Sequence, residues 1–172
     1  IWLRESGFFS DKSGCWVAAQ ILYYLLKPNR ILESAIKKEK ERLSWDSSHR
    51  KCVAVHVRHG WRSRFNAKIT MSDYMKSIRR FSGTKKVLLI TEDEGVINDA
   101  EENFPQYDWY YTDYPRENKH DIGIAMTKGE VDPTEEALNA LVNLFLSSEC
   151  EFFVGRVNST WFRLMIMLSY GK

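Results

Sequence analysis

Four short apolar runs, alternating with segments of helical periodicity, are the feature that most constrains how this chain folds. The runs cover residues 52–57, 86–90, 107–111 and 152–155, and helix-like segments separate or follow them. Strands separated by helices pair in parallel through right-handed crossovers, so the pattern predicts an α/β fold with a doubly wound parallel sheet in three layers, α/β/α. The simplest strand order places the first run centrally, the second and third on one side and the fourth on the other. Its aromatic residues put the third run at the sheet edge.

Two further helices are predicted before the first strand, over residues 13–26 and 30–43. Residues 113–132 are rich in charge, glycine and proline, and we expect them to form a long loop. The chain begins with Ile1 rather than methionine, which indicates part of a longer protein.

Charge and cysteine content narrow the classes of function. The 172 residues include 25 basic and 23 acidic side chains, a net charge of +2, so no global field favours nucleic acid. No stretch approaches the ~20 apolar residues of a membrane span, so any membrane anchor is expected outside this segment. Cys15, Cys52 and Cys150 lack metal-ligand spacing, and their odd number leaves at least one unpaired. We expect buried free thiols, because cysteine is often a small core residue.

The end of the first strand carries the strongest functional signal. His56 lies at the end of the first run and Arg58 and His59 follow it, and ligands of open α/β sheets bind at the carboxyl ends of strands. An arginine there suggests a phosphate, whereas the alternatives are a surface arginine paired with an acid and a core histidine held by a hydrogen bond. The predicted switch point lies between the first and fourth strands, where residues 56–62 and 156–159 would line a crevice.

Two other strand ends offer polar groups with competing interpretations. Glu92 and Asp93 follow the second strand and could form a general-base pair or cap the next helix. Asn158 and Ser159 precede the last helix, where a capping role for Ser159 is favoured over a nucleophilic one.

Four segments in the same order and spacing resemble a known family: SGCWVAAQILYYLLKPN, VAVHVRHGWR, KKVLLITEDEGVINDAEENFPQYDW and LFLSSECEFFVGRVNSTWFR, at residues 13–29, 53–62, 85–109 and 144–163. They are similar to the alpha-1,6-fucosyltransferases of N-glycan cores and to bacterial chitooligosaccharide fucosyltransferases. The resemblance implies the Rossmann-like, C-terminal nucleotide-binding half of a GT-B-like glycosyltransferase. On that basis, residues 1–50 would be a helical segment packed on a nucleotide-sugar-binding domain at residues 51–172.

The resemblance also implies a reaction. Fucose would pass from GDP-fucose to a hydroxyl of a glycan or glycoprotein acceptor, with inversion and without a metal or other cofactor, in the Golgi lumen. His56 and Arg58 would contact GDP, with Arg58 gripping its phosphate. Asp93 would be the second catalytic residue, and Asn158 and Ser159 would help to hold the nucleotide.

The sequence departs from the family pattern at several of these positions. His59 stands where the family has a second arginine, and Trp61 stands where it has an acid. Val142, beside Asn143, aligns with an aspartate expected to read the guanine edge. Either Asn143, Arg62 or Arg64 substitutes for the missing groups, or the chain is an inactive relative serving as a structural or interaction subunit.

Overall fold

The computed structural model describes residues 14–59, 69–80, 83–116 and 122–171. The helices are α1 (Gly14–Leu25), α2 (Arg30–Arg42), α3 (Met71–Ile78), α4 (Glu94–Asn103), α5 (Ile122–Thr127), α6 (Pro133–Ser147) and α7 (Thr160–Tyr170). The strands are β1 (Val53–Val57), β2 (Lys86–Thr91), β3 (Asp108–Tyr110) and β4 (Phe152–Gly155). A short 3-10 helix over Ser47–Lys51 precedes β1.

The four strands form one parallel sheet in the order β3-β2-β1-β4. Both the predicted order and the edge position of β3 are confirmed. In the register of β1 with its neighbours, His56 lies opposite Ile90 of β2 and Gly155 of β4. The carboxyl ends of the two central strands and β4 therefore meet at one edge of the sheet, with the switch point between β1 and β4.

Alternation along the strands divides the core into two layers, because successive side chains of a strand point to opposite faces. Val53, Val55 and Val57 pack with α3 and α4 on one face. Ala54 packs with α6 and α7 on the other, and α2 completes that layer. Helix α1 packs against α7. The three-layer α/β/α architecture is thus confirmed, and the division of the chain near residue 50 stays a prediction.

The cysteine prediction was wrong for two of the three residues. Cys52 and Cys150 form a disulfide with a Cα–Cα distance of 4.8 Å. Cys52 immediately precedes β1 and Cys150 lies two residues before β4, and neighbouring strands of a sheet lie ~4.8 Å apart. Because the cysteines lie 98 positions apart in sequence, only the pairing of β1 with β4 brings them together.

The remaining differences are short elements. The predicted loop at 113–132 contains α5, a helix of six residues, and the polar segment before β1 forms the 3-10 helix. Such short elements carry too few residues for a clear periodicity. In the described residues, no helix is long and apolar enough to cross a membrane.

Candidate functional site

A cavity of about 370 Å³ opens at the carboxyl ends of β1 and β2. This volume is within the range of small-molecule sites, about 300–1,000 Å³. The segment 112–116 and helices α5, α6 and α7 complete its wall. The lining residues are His56, Val57, Arg58, Ile90, Thr91, Glu92, Tyr114, Pro115, Arg116, Ala125, Val131, Glu136, Asn139, Ala140, Asn143, Thr160 and Trp161.

His56 and Arg58 both line this cavity. Their side chains are expected on the same side, because residues two positions apart in extended chain point to the same face. His56 is 8% exposed, and burial first and the charge of Arg58 second lower its pKa to about 4. The imidazole is therefore neutral at pH 7, and its buried Nδ1 has no hydrogen-bond partner among the described residues. Arg58 is exposed, so its guanidinium can meet an incoming anion.

Two carboxylates line the same cavity. Glu92 follows β2, one position beyond the register pair of Val57 with Thr91, which places it beside Arg58 at the neighbouring strand end. Glu136 lies in the first turn of α6, and burial raises its pKa while a hydrogen bond with Tyr114 opposes that rise. Within the described part of the chain, Oε1 of Glu92 and Oε2 of Glu136 are buried without a hydrogen-bond partner. Sequence analysis missed Glu136, although it shares a helical face with Ala140 and Asn143.

Asn143 and Val142 have different environments. Val142 is buried in the core between the sheet and α7, whereas Asn143 lines the cavity at 6% exposure. Nδ2 of Asn143 donates to Oγ1 of Thr112 at 3.0 Å and to the carbonyl of Asn139 at 3.0 Å. These bonds fix the amide, and its buried Oδ1 has no partner among the described residues. Asn143, not Val142, is therefore the residue that can touch a ligand.

Arg116 shapes one wall of the cavity and was also missed from the sequence. Its guanidinium donates to the carbonyls of Thr91, Tyr114 and Thr112 at 3.1, 3.1 and 2.7 Å. These three bonds tie the segment 112–116 to the end of β2 and hold Tyr114 over the cavity. The same tie positions the Tyr114 hydroxyl near Glu136, and burial followed by the Glu136 charge raises the pKa of Tyr114 to about 12.

His59 and Asp93 form a pair of their own and do not line this cavity within the described structure. Nδ1 of His59 lies 2.9 Å from Oδ2 of Asp93, and Nε2 lies 3.1 Å from the carbonyl of Ile69. These two contacts tie the end of β1 to the start of α4 and to the residue that precedes the Thr70 cap of α3. Oδ1 of Asp93 accepts from the backbone N–H of Gly95 and so caps α4.

The two polar residues of the turn before α7 have different environments. Ser159 is buried and caps α7 by accepting from the N–H of Phe162 at 3.4 Å. Asn158 is exposed and lines a separate depression with Arg156 and Tyr74. The first two residues of α7, Thr160 and Trp161, line the cavity that His56 also lines. Gly60, Trp61, Arg62 and Arg64 lie outside the described residues.

No group of three or more His, Cys, Asp or Glu side chains in the described ranges is arranged to hold a metal ion. Residues 7–163 match the protein-family model described as alpha-(1,6)-fucosyltransferase N- and catalytic domains. No curated protein sequence matches the chain.

Proposed function

Since the chain belongs to the alpha-(1,6)-fucosyltransferase family, whose model matches residues 7–163, we propose that it transfers fucose from GDP-fucose to a hydroxyl of a glycan or glycoprotein acceptor. The proposed transfer proceeds with inversion and without a metal. The observation that carries this proposal is the shared cavity of His56 and Arg58 at the end of β1. In open α/β sheets this edge, next to the switch point, is where ligands bind.

Arg58 holds the diphosphate in this proposal. The guanidinium fork matches phosphate oxygens, and in the cavity it would offset the charge that develops on the departing diphosphate. The first residues of α7 lie on the same cavity wall, where the N–H groups of a helix start favour an anion. The neutral His56 beside Arg58 adds no competing positive charge and can donate or accept one hydrogen bond to the nucleotide.

The transfer step needs a proton acceptor. The acceptor hydroxyl oxygen attacks the anomeric carbon, the bond from that carbon to the β-phosphate oxygen breaks, and GDP leaves with the electron pair. We assign the hydroxyl proton to Glu92, because its Oε1 has no hydrogen-bond partner among the described residues. Asp93, by contrast, accepts from His59 and Gly95, so we give it a positioning role at the start of α4.

The family and the disulfide support a compartment and partners for the proposed reaction. Disulfides persist mainly in oxidising compartments, and the Cys52–Cys150 bridge thus supports placing the protein in the Golgi lumen. The proposed partners are a nucleotide sugar and a glycan.

A second candidate is nucleotide binding without transfer, in a structural or interaction subunit. It is favoured by His59, which stands in place of an arginine and pairs with Asp93 instead of lining the cavity. The two candidates differ in one measurement: incubation with labelled GDP-fucose and an N-glycan acceptor. Label in the glycan supports the enzyme, whereas GDP binding without label in the glycan supports the subunit.

The nucleotide site itself is tested by thermal melting with GDP. At 100 times its dissociation constant, GDP should add ~2.7 kcal/mol to the free energy of unfolding. The Arg58→Ala variant should lose this shift, while Arg80→Ala, which removes an exposed arginine of the α3–β2 connection, should keep it. A wild-type protein with no shift at millimolar GDP would contradict the proposed function.

A further inference from the structure

The turn between β4 and α7 contains a motif that nucleotide binding does not require. Residues 158–160 read Asn-Ser-Thr, the acceptor motif for N-linked glycosylation, with a middle residue other than proline. No other asparagine in the 172-residue sequence is followed two positions later by serine or threonine. Any N-linked glycan on these residues would therefore be attached to Asn158.

The structural setting decides whether this short motif can carry a sugar, because an N-linked glycan is bulky and hydrated and needs a surface position. Asn158 is exposed and lies in a turn that the N–H of Ser159 closes by donating to the carbonyl of Arg156 at 2.9 Å. Within the described ranges, its side chain takes part in no hydrogen bond, ion pair or ring contact. A substituent on Nδ2 of Asn158 thus costs the described fold no native hydrogen bond.

The other two residues of the motif are compatible with modification. The side chain of Ser159 is buried as the cap of α7, but the middle residue of the motif is not itself modified. Thr160, whose hydroxyl completes the motif, is exposed at the first position of α7. The local fold therefore leaves the acceptor asparagine outside while it uses the middle residue inside.

The disulfide is an independent observation that supports the same history for the chain. Bridges such as Cys52–Cys150 form and persist mainly in oxidising environments, among them the lumen of the endoplasmic reticulum. N-linked transfer takes place in that lumen. The bridge thus supports a path through the compartment in which the motif is modified.

We propose that Asn158 carries an N-linked glycan. The donor is an oligosaccharide carried on a lipid diphosphate, and Nδ2 of Asn158 attacks its anomeric carbon. The bond from that carbon to the phosphate oxygen breaks, the lipid diphosphate leaves with the electron pair, and the proton that Nδ2 loses passes to the transferring enzyme. This inference goes beyond the proposed function and does not depend on nucleotide binding.

The glycan begins at a surface other than the nucleotide cavity. Asn158 lines the depression formed by the end of β4 and by α3, together with Tyr74 and Arg156. The cavity that His56 lines is reached from the same turn only by Thr160 and Trp161, among the described residues. A sugar on Asn158 therefore starts at the rim of the depression.

Peptide mapping tests the proposal directly. The chain is produced through the secretory pathway of a eukaryotic cell, treated with peptide-N-glycosidase F in heavy-oxygen water and digested with trypsin. Cleavage after Arg156 and Arg163 releases residues 157–163, which contain the whole motif. The glycosidase removes the glycan and leaves a labelled aspartate, so the protein should lose mass and the label should appear in peptide 157–163.

Three variants separate glycosylation from other causes of a mass change. Asn158→Gln removes the acceptor and should abolish the mass loss. Thr160→Val keeps Asn158 but removes the hydroxyl of the motif, and it should abolish the loss as well. Thr160→Ser is the matched control, because it keeps a hydroxyl at the same place and should retain the loss.

Two results would overturn the inference. One is wild-type protein that has formed the Cys52–Cys150 bridge in the secretory pathway and yields only unmodified peptide 157–163. The other is a mass loss that persists in Asn158→Gln. GDP binding is measured separately, so the failure of the inference or of the proposed function leaves the other standing.

Discussion

His56 is the residue whose protonation the fold changes most clearly. Its side chain is buried at the end of β1, where water cannot solvate a second proton, and Arg58 opposes that proton further. The pKa falls from an ordinary 6.5 to about 4. A proton on His56 would therefore disfavour the folded state.

The consequence is a pH dependence of stability with a defined sign. The folded protein binds fewer protons than the unfolded chain between pH 6.5 and about 4, so the contribution of His56 is complete above pH 6.5 and is lost as the pH falls to about 4. The loss should reach about 3 kcal/mol. Urea unfolding at pH 7 and pH 4.5 measures it, and His56→Gln should reduce the difference. An unchanged difference in that variant would show that His56 is not buried in its neutral form.

Among the elements, the segment 112–116 is braced by Arg116, together with Asn143, which donates to Thr112, and Glu39, which accepts from the N–H of Asp113. Arg116 donates to three backbone carbonyls, one of them from β2, and its burial lowers its pKa. Burying a guanidinium is unfavourable unless its N–H groups keep their hydrogen-bond partners. Arg116 is thus the side chain that joins Thr112, Tyr114 and the end of β2.

Removing the contact should affect both stability and the site. In Arg116→Ala we expect a loss of about 1–3 kcal/mol in the free energy of unfolding, because three partly buried carbonyls each lose a hydrogen bond. The GDP dissociation constant should rise severalfold as Tyr114 loses its position. Arg163→Ala removes an exposed arginine of α7 and should change neither value in urea unfolding and calorimetric titration. Equal effects of the two substitutions would rule out the bracing role of Arg116.

For the molecule as a whole, the Cys52–Cys150 disulfide joins the start of the sheet to the end of α6. It closes a loop of 98 residues that contains β1, β2, β3 and α6. A cross-link over so long a loop restricts the unfolded chain strongly.

The expected cost of removing the bridge follows from that restriction. The double variant Cys52→Ala, Cys150→Ala should lose roughly 2–4 kcal/mol of unfolding free energy. Cys15→Ala, which removes the cysteine that this bridge does not use, is the control. Non-reducing peptide mapping should recover residues 52 and 150 in one linked pair. Recovery of the two as free thiols from protein made in an oxidising compartment would contradict the assignment.

The sequence alone predicted the architecture, but the predicted crevice shared by residues 56–62 and 156–159 was wrong, because Arg156 and Asn158 line a separate depression. Apolar runs with strand length and helices with a 3.6-residue period are local signals, so they predicted all four strands and their order, and they placed His56 and Arg58 at the end of β1. The caps at Asp93 and Ser159 were likewise foreseen as alternatives, because a cap depends on residues only a few positions apart.

Only the tertiary structure decided which distant residues meet. The pairing of β1 with β4 brings Cys52 to Cys150, and the path of the segment 112–116 brings Tyr114 to Glu136. The same packing places Asn143 at the cavity and Val142 in the core, and it pairs His59 with Asp93. These contacts depend on how helices and loops pack on the sheet. The local periodicity of the sequence does not determine that packing.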